Sequence, residues 1–409
     1  MGNKQVKIVD VRIRELTGTT RYAGDLFQGR QRWPMDIYPE ARARTPREMY
    51  KAWKFISESE GDTSQVKGVF VEIDTDEGIT GIAGPVHWLM PCIYIETMLK
   101  PLLLGKDPFA TELIWDQMYR SSAHGRQGFN MHAMSYIDIA LWDIKGKAVG
   151  LPVCNLLGGP VQNKIAAYAS TVGYSLDLEN VYEKVTQFRA DGYTATKWFV
   201  REGPTDGPEG ERNNVALIKT IREAGGPDMK IMLDSWSSWD VPYTLKMARL
   251  MERYDPYWFE EPVLTDLPKS YARLRRECPV QIAGGEHSFT RWGAKSMMDN
   301  ECCDIYQMDP VWCGGISETM KICTLASSYD APVIPHGTSQ HVNAHVSFAQ
   351  NAAVTPMMED LVAFRQMTQH FLANPLEPVD GYFSPPEVPG VGLDLDESKI
   401  ESERMLSWA

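Results

Sequence analysis

The stretches IMLD (231–234), YWFE (257–260) and IAGGE (282–286) decide the fold of this chain. Each is a short apolar run that ends on a carboxylate: Asp234, Glu260 and Glu286. The three acids stand in equal steps of 26 residues. That is the length of a strand, a helix and their turns. Three consecutive parallel strands would then present one acid each at the same end of a sheet. In a barrel of alternating strands and helices, reacting side chains sit at that C-terminal rim.

The same rhythm extends outward. Apolar runs occur at Ile165–Ser170, Ala195–Val200, Ile231–Trp236, Tyr257–Pro262, Val280–Glu286, Asp304–Pro310, Pro332–His336 and Met357–Leu361. Helix-like segments lie between nearly all of them: Leu178–Ala190, Asn213–Ala224, Tyr243–Tyr254, Ser270–Glu277, Thr290–Asn300 and Ser317–Ser327. Eight such runs predict an α/β fold, a parallel sheet with crossover helices closed into a TIM barrel. The residues before about 163 differ. Gln5–Leu16 alternates like a strand, and 17–48 is rich in Gly, Arg and Pro and reads as a long loop. Gly68–Thr75, the turn Asp76-Glu77-Gly78 and Thr80–Ala83 form a hairpin signal. Helical patterning covers Met90–Leu104, Thr111–Tyr119 and Met131–Val149, and Gly150 ends the last of these. The Pro- and Gly-rich end EPVDGYFSPPEVPGVGLDLD (377–396) is expected to lie back over the first part. The division is therefore 1–155, 156–375 and 376–409.

Composition narrows the partners. Of 409 residues 43% are apolar and 23% charged, ordinary for a globular chain, and the net charge is -13. That acidity argues against nucleic acid and against an anionic membrane. No apolar stretch approaches the length of a membrane span, and MGNKQVKIVDVRIREL carries no signal-like core. Seven cysteines without a C-x-x-C pair suit reduced thiols in a cytoplasmic enzyme.

The chemistry lies at the run ends. A lone strand-end acid is usually a helix cap or a solvated charge. Three in register would repel one another unless a cation or protons intervene. All-oxygen ligation suits Mg²⁺, and Mn²⁺ fits the same set. In Glu260-Glu261 the first residue continues the strand, so Glu260 is the expected ligand and Glu261 the expected partner of an ion pair. The next two runs end on Asp309 (IYQMD) and His336 (VIPH), a histidine beside a carboxylate that would orient it and make it more basic. A satisfied structural histidine is the bland alternative. Lys197 (ATKWF) and Glu359 (MMED) complete the rim. Removing a proton next to a carboxylate creates a dianionic enediolate, which needs positive charge at both oxygens. Mg²⁺ is expected on one side and Lys197 on the other. Glu359, if protonated, would donate to the developing oxyanion.

These residues, with IDIALWDIKGKAVGLPVCNLLGG (137–159), WFEEP (258–262), GGEH (284–287), QMDPVWCGGISE (307–318) and PHGTS (335–339), resemble the enolase superfamily, mandelate racemase subgroup, and within it the rhamnonate dehydratase-like acid-sugar dehydratases. The resemblance covers nearly the whole chain. It implies an α+β capping domain (1–155) with a specificity loop at 18–44. It also implies a (β/α)7β barrel (156–375) and a C-terminal segment (376–409) packed on the cap. By it, Asp234, Glu260 and Glu286 hold one Mg²⁺ per subunit, Asp309 and His336 form the base, Glu359 stabilises the intermediate and the assembly is a homo-oligomer. One departure matters. Many members carry Lys-x-Lys on the second barrel strand; here the motif is Lys197-Trp198-Phe199. The second base is missing, and inversion at the α-carbon is disfavoured.

One base still suffices for dehydration of a sugar acid to a 2-keto-3-deoxy acid. His336 takes the α-proton and returns a proton to the departing β-hydroxyl. His287 is a candidate helper in that step, or a supporting group beside Glu286. By the same resemblance Arg21, Tyr22, Arg30, Arg32 and Trp33 approach the barrel mouth, with His87, His124 and Arg126 as further candidates. For each of these an ordinary exposed side chain is the favoured reading, ahead of a substrate contact. Two rivals remain: a racemase or epimerase of a 2-hydroxy acid, and a catalytically silent binding or regulatory homologue. Deuterium exchange without ketone would mark the first, and absence of Mg²⁺ binding the second.

Overall fold

The computed structural model describes residues 6–21, 28–45, 48, 56–60 and 63–408. Four strands open the chain: β1 (Ile8–Thr20), β2 (Ile56–Glu60), β3 (Thr63–Thr75) and β4 (Thr80–Ala83). Val11, Ile13 and Leu16 of β1 turn inward and are buried, while the residues between them stay more open. β1 is longer than its apolar alternation predicts, because Thr17–Thr20 continue the antiparallel ladder against Ser64–Lys67 of β3. The backbone there is satisfied by pairing rather than by apolar burial. The rest of the expected loop is partly helical, with short turns at Pro34–Ile37 and Pro39–Arg42, each opened by a proline. Tyr22 and the predicted strand start at Gln5 lie outside the described residues.

The helix Phe129–Val149 is buried on almost every side, including Met131 through Leu141 without a break. It lies between β4 of the cap and the barrel helix Gly315–Ser327, and more open positions such as Lys145, Lys147 and Val149 are near its C-terminal end.

The barrel strands are β5 (Ile165–Ser170), β6 (Ala195–Phe199), β7 (Lys230–Asp234), β8 (Pro256–Glu260), β9 (Gln281–Gly284), β10 (Ile305–Tyr306) and β11 (Met357–Leu361). They are parallel, in the spatial order β10-β9-β8-β7-β6-β5-β11. The run Pro332–His336 contributes a single bridge, Tyr306 to Val333. Pro332 and Pro335 remove two amide donors from it, so it cannot sustain a ladder. Closure is nevertheless complete in the packing. Tyr168, Ala195, Met232, Trp258, Ala283, Ile305, Ile334 and Met357, one from each of the eight runs, form a separate apolar cluster that fills the barrel. The helix Gln340–Phe348, which follows the seventh run, is buried throughout and has no amphipathic signal to reveal it.

The C-terminal segment serves both halves. β12 (Tyr382–Phe383) pairs antiparallel with β5 of the barrel, and β13 (Ser402–Met405) pairs antiparallel with β1. Only its end, then, adds to the cap sheet. Among the described residues no helix is long and apolar enough to cross a membrane.

Candidate active site

Side chains on a strand alternate in direction, so residues two apart share a face. Ala195, Met232, Trp258, Ile334 and Met357 belong to the apolar barrel filling. Two positions on from each stand Lys197, Asp234, Glu260, His336 and Glu359. The chemistry-bearing groups therefore form the layer directly above the apolar one. Register aligns Phe199 with Asp234 and Asp234 with Glu260 across three strands. Glu286 follows the end of β9, beyond Gly285, whose φ of 113° is open to glycine and strained for other residues.

Lys197 is fully buried. Its Nζ contacts Glu260 Oε1, lies 2.8 Å from Glu359 Oε1 and 3.2 Å from Asp234 Oδ2. Burial opposes its charge, but the three carboxylates hold its pKa well above the ordinary value. Lys197 is enclosed by acids and does not line the cavity. In this structure its ammonium neutralises those acids. Glu359 is also the acceptor for the Gly337 N–H at 2.7 Å. Burial favours its neutral form, yet Lys197 and His336 outweigh this and hold it below the usual carboxylate range. In this structure Glu359 is an ion-pair partner of Lys197. The second oxygen of Glu260 accepts from Trp258 Nε1 at 3.0 Å and Gln307 Nε2 at 2.8 Å.

His336 Nδ1 lies 2.8 Å from Asp309 Oδ2. The other oxygen of Asp309 accepts the Val311 N–H at 2.6 Å, which fixes the carboxylate. With Nδ1–H on Asp309, Nε2 is the free nitrogen. It faces Glu286 Oε2 at 3.6 Å. Burial disfavours the imidazolium, but Glu286, the bond to Asp309 and Glu359 push its pKa up to about 10. His287 Nδ1 bonds Glu261 Oε2 at 2.8 Å and sits 3.6 Å from Glu286 Oε1. Burial again opposes the charge, and Glu261 and Glu286 raise the group to about 9.

The acids expected as ligands, Asp234, Glu260 and Glu286, do not bring one ligand atom each within 4.8 Å of one another in this structure. Among the described residues, ligand atoms of Glu261, Glu286 and His287 lie within 4.8 Å of one another. In that set His287 Nδ1 is already bonded to Glu261. Asp234, Glu260 and Glu286 offer oxygen only, which suits a hard dication. Asp234 is pushed up to about 6, by burial first, against Lys197 and with Glu286 adding repulsion. Glu260 and Glu286 are likewise raised, mainly by burial. Among the described residues the rim buries six carboxylates, Asp234, Glu260, Glu261, Glu286, Asp309 and Glu359, against Lys197 and two histidines. That excess of negative charge fits a divalent cation at Asp234, Glu260 and Glu286. Charge there would also offset the Glu286 field that keeps His336 protonated.

Above the rim is a cavity of about 420 Å³ between barrel and cap. The barrel supplies Asp234, Glu286, His287 and His336, together with Phe199, Trp236, Phe289 and Trp312. The cap supplies Gln31, Trp33, His87, Trp88, Phe129 and His132. Of the expected substrate contacts, Trp33 and His87 line the wall, and Trp33 meets Trp236 edge-on at 5.2 Å. Arg32 and Arg21 do not. Arg32 is buried against Asp206 and bonds Thr205 Oγ1 at 2.9 Å, while Arg21 is exposed. Arg30 pairs with Asp36, and His124 and Arg126 are exposed. His132, Trp236, Phe289 and Trp312 were not singled out from sequence. Trp236 and Trp312 lie two or three residues beyond Asp234 and Asp309, so the rim position itself is the signal that could have found them.

Comparison with known proteins places this geometry. Residues 180–399 match the enolase C-terminal domain-like model, and residues 47–158 match the mandelate racemase / muconate lactonizing enzyme N-terminal domain. An L-rhamnonate dehydratase from Saccharopolyspora erythraea is 31% identical over 400 residues, covering 94% of this chain and 96% of that protein. The crystal structure of rhamnonate dehydratase from Gibberella zeae complexed with Mg superposes with a TM-score of 0.82 at 27% identity, covering 97% of each chain. The 3,6-anhydro-D-galactonate cycloisomerase from Zobellia galactanivorans superposes with a TM-score of 0.74 at 32% identity, covering 85% of this chain and 97% of that one.

Proposed function

This chain belongs to the mandelate racemase / muconate lactonizing enzyme family of the enolase superfamily, and on that premise we propose that it is a Mg²⁺-dependent hydro-lyase that converts a sugar acid to a 2-keto-3-deoxy acid. The observation that carries this is the His336–Asp309 pair at 2.8 Å, with Nε2 turned to Glu286 on the wall of the cavity. Asp234, Glu260 and Glu286 would hold the metal, which when bound supplies Lewis-acid charge for the substrate carboxylate. Lys197 keeps three buried acids compatible at close range. His336, neutral at Nε2, removes the proton from the carbon next to the carboxylate, and Asp309 holds the resulting imidazolium. The C–O bond at the β-carbon then breaks, and the proton on Nε2 passes to the departing oxygen on the same face. Water leaves, and the enol becomes the keto acid. His287, charged by Glu261, is a second candidate donor to that oxygen.

Phe199 occupies the cavity wall where a second base would stand, which disfavours inversion and hence a racemase or epimerase. The ligand acids and the base pair are all present, which disfavours a silent homologue. All seven cysteines are free thiols, in keeping with a cytoplasmic enzyme. The test is a panel of acid sugars with Mg²⁺ and detection of keto acid. A product lighter than its substrate by one water, absent with His336→Asn, is expected. No keto acid from any member would overturn the proposal.

A second reading is favoured by the aromatic cavity, whose described lining contains no lysine or arginine, and by the similarity to the cycloisomerase. If the β-oxygen is a ring ether, the same steps open the ring and release no water. A keto acid of unchanged mass would favour it.

A further inference from the structure

His132 stands on the cap helix Phe129–Val149, flanked in sequence by apolar Met131, Ala133 and Met134. It lines the cavity although only 5% exposed, and its Nδ1 is buried with no hydrogen-bond partner. A buried polar nitrogen is costly unless something satisfies it. Packing fixes the ring. It stacks on Trp312 at 5.4 Å and 2°, with Trp88 at 5.6 Å and Phe129 at 5.7 Å. Trp312 also contacts His336, at 4.8 Å. His132 therefore belongs to the same wall as the base but is not part of its proton relay. Burial, with His87 and His287 nearby, lowers its pKa to about 3. A neutral imidazole offers one donor and one acceptor. That pairing matches a hydroxyl, which donates and accepts, better than it matches an anion.

We propose that His132 is a specificity-determining residue that hydrogen-bonds an uncharged hydroxyl of the substrate beyond its reacting carbons. This rests on the proposed reaction only in taking the cavity as the substrate site. The test reads binding, so it does not need turnover. Gluconate, galactonate and other hexonates, each with its monodeoxy analogues, are titrated into the Mg²⁺-loaded protein. Tryptophan fluorescence, to which Trp88 and Trp312 contribute, follows the titration. The wild type is expected to prefer one hexonate over one deoxy partner by about tenfold, the worth of a single neutral hydrogen bond. His132→Phe keeps the ring stack and is expected to bind that pair equally. His132→Gln, which retains a donor and an acceptor, should restore part of the preference. A preference that survives in His132→Phe, an equal loss on both ligands, or no preference in the wild type would overturn the proposal. Should His132→Phe fail to fold, ¹⁵N-histidine spectra of the wild type decide. The His132 nitrogens must shift with the hydroxylated ligand and not with its deoxy partner. A preserved preference without keto acid would sink the reaction and leave this assignment standing.

Discussion

Lys197 is one ammonium held among three buried carboxylates, and its removal should be felt first in stability. Taking one partner from a buried charge group leaves the others uncompensated, at a typical cost of about 3–5 kcal/mol. Lys197→Met without Mg²⁺ should therefore lose about that much in urea unfolding, and a loss under about 1 kcal/mol would contradict the arrangement. Asp309→Asn should lower kcat by roughly 10²–10⁴, because Nδ1 loses its charged partner. An unchanged pH–rate profile and rate would remove Asp309 from the base. At this scale Asp234, Glu260, Glu286, Asp309 and His336 were legible because each closes an apolar run. Arg32 was not, since its partner Asp206 lies far along the chain. The ion pair of Glu359 was not either, because its lysine comes from another strand.

At the scale of elements, the cap is latched to the barrel through the segment that carries Trp312. Asp138 of the cap helix accepts the Ser317 N–H at 2.9 Å and its hydroxyl at 2.6 Å. Ser135 Oγ accepts the Gly314 N–H at 2.9 Å, and Trp115 Nε1 donates to the Gly314 carbonyl at 2.8 Å. Gly315 has a φ of 87°, and a Cβ there would come within 2.3 Å of Asp138 Oδ2. Gly315→Ala should cost at least about 1–3 kcal/mol from backbone strain alone. A thermal midpoint indistinguishable from wild type would show that the latch is not needed. Six of the eight barrel runs appear as strands of four residues or more, since period and spacing are local properties. The sixth run closes on Pro310, the seventh carries Pro332 and Pro335, and the helix Gln340–Phe348 is hidden by its own burial.

For the whole molecule, the decisive quantity is the charge balance at the junction of barrel and cap. A cation that binds only the folded form stabilises it by about 2.7 kcal/mol at a hundredfold excess over Kd. Mg²⁺ should raise the thermal midpoint of the wild type and raise it far less in Glu286→Gln, read by calorimetry. Equal shifts in both would move the metal away from Glu286. The barrel was legible from its repeating units. The cavity was legible only in part: Trp33 and His87 were expected at its mouth, whereas His132 and Trp312, from distant parts of the chain, were not. The most direct test follows the α-proton itself by NMR, with acid sugars in D₂O and Mg²⁺. The wild type should exchange or eliminate that proton from at least one of them, and His336→Asn should leave it in place. Loss of the proton at an undiminished rate in His336→Asn would contradict the account.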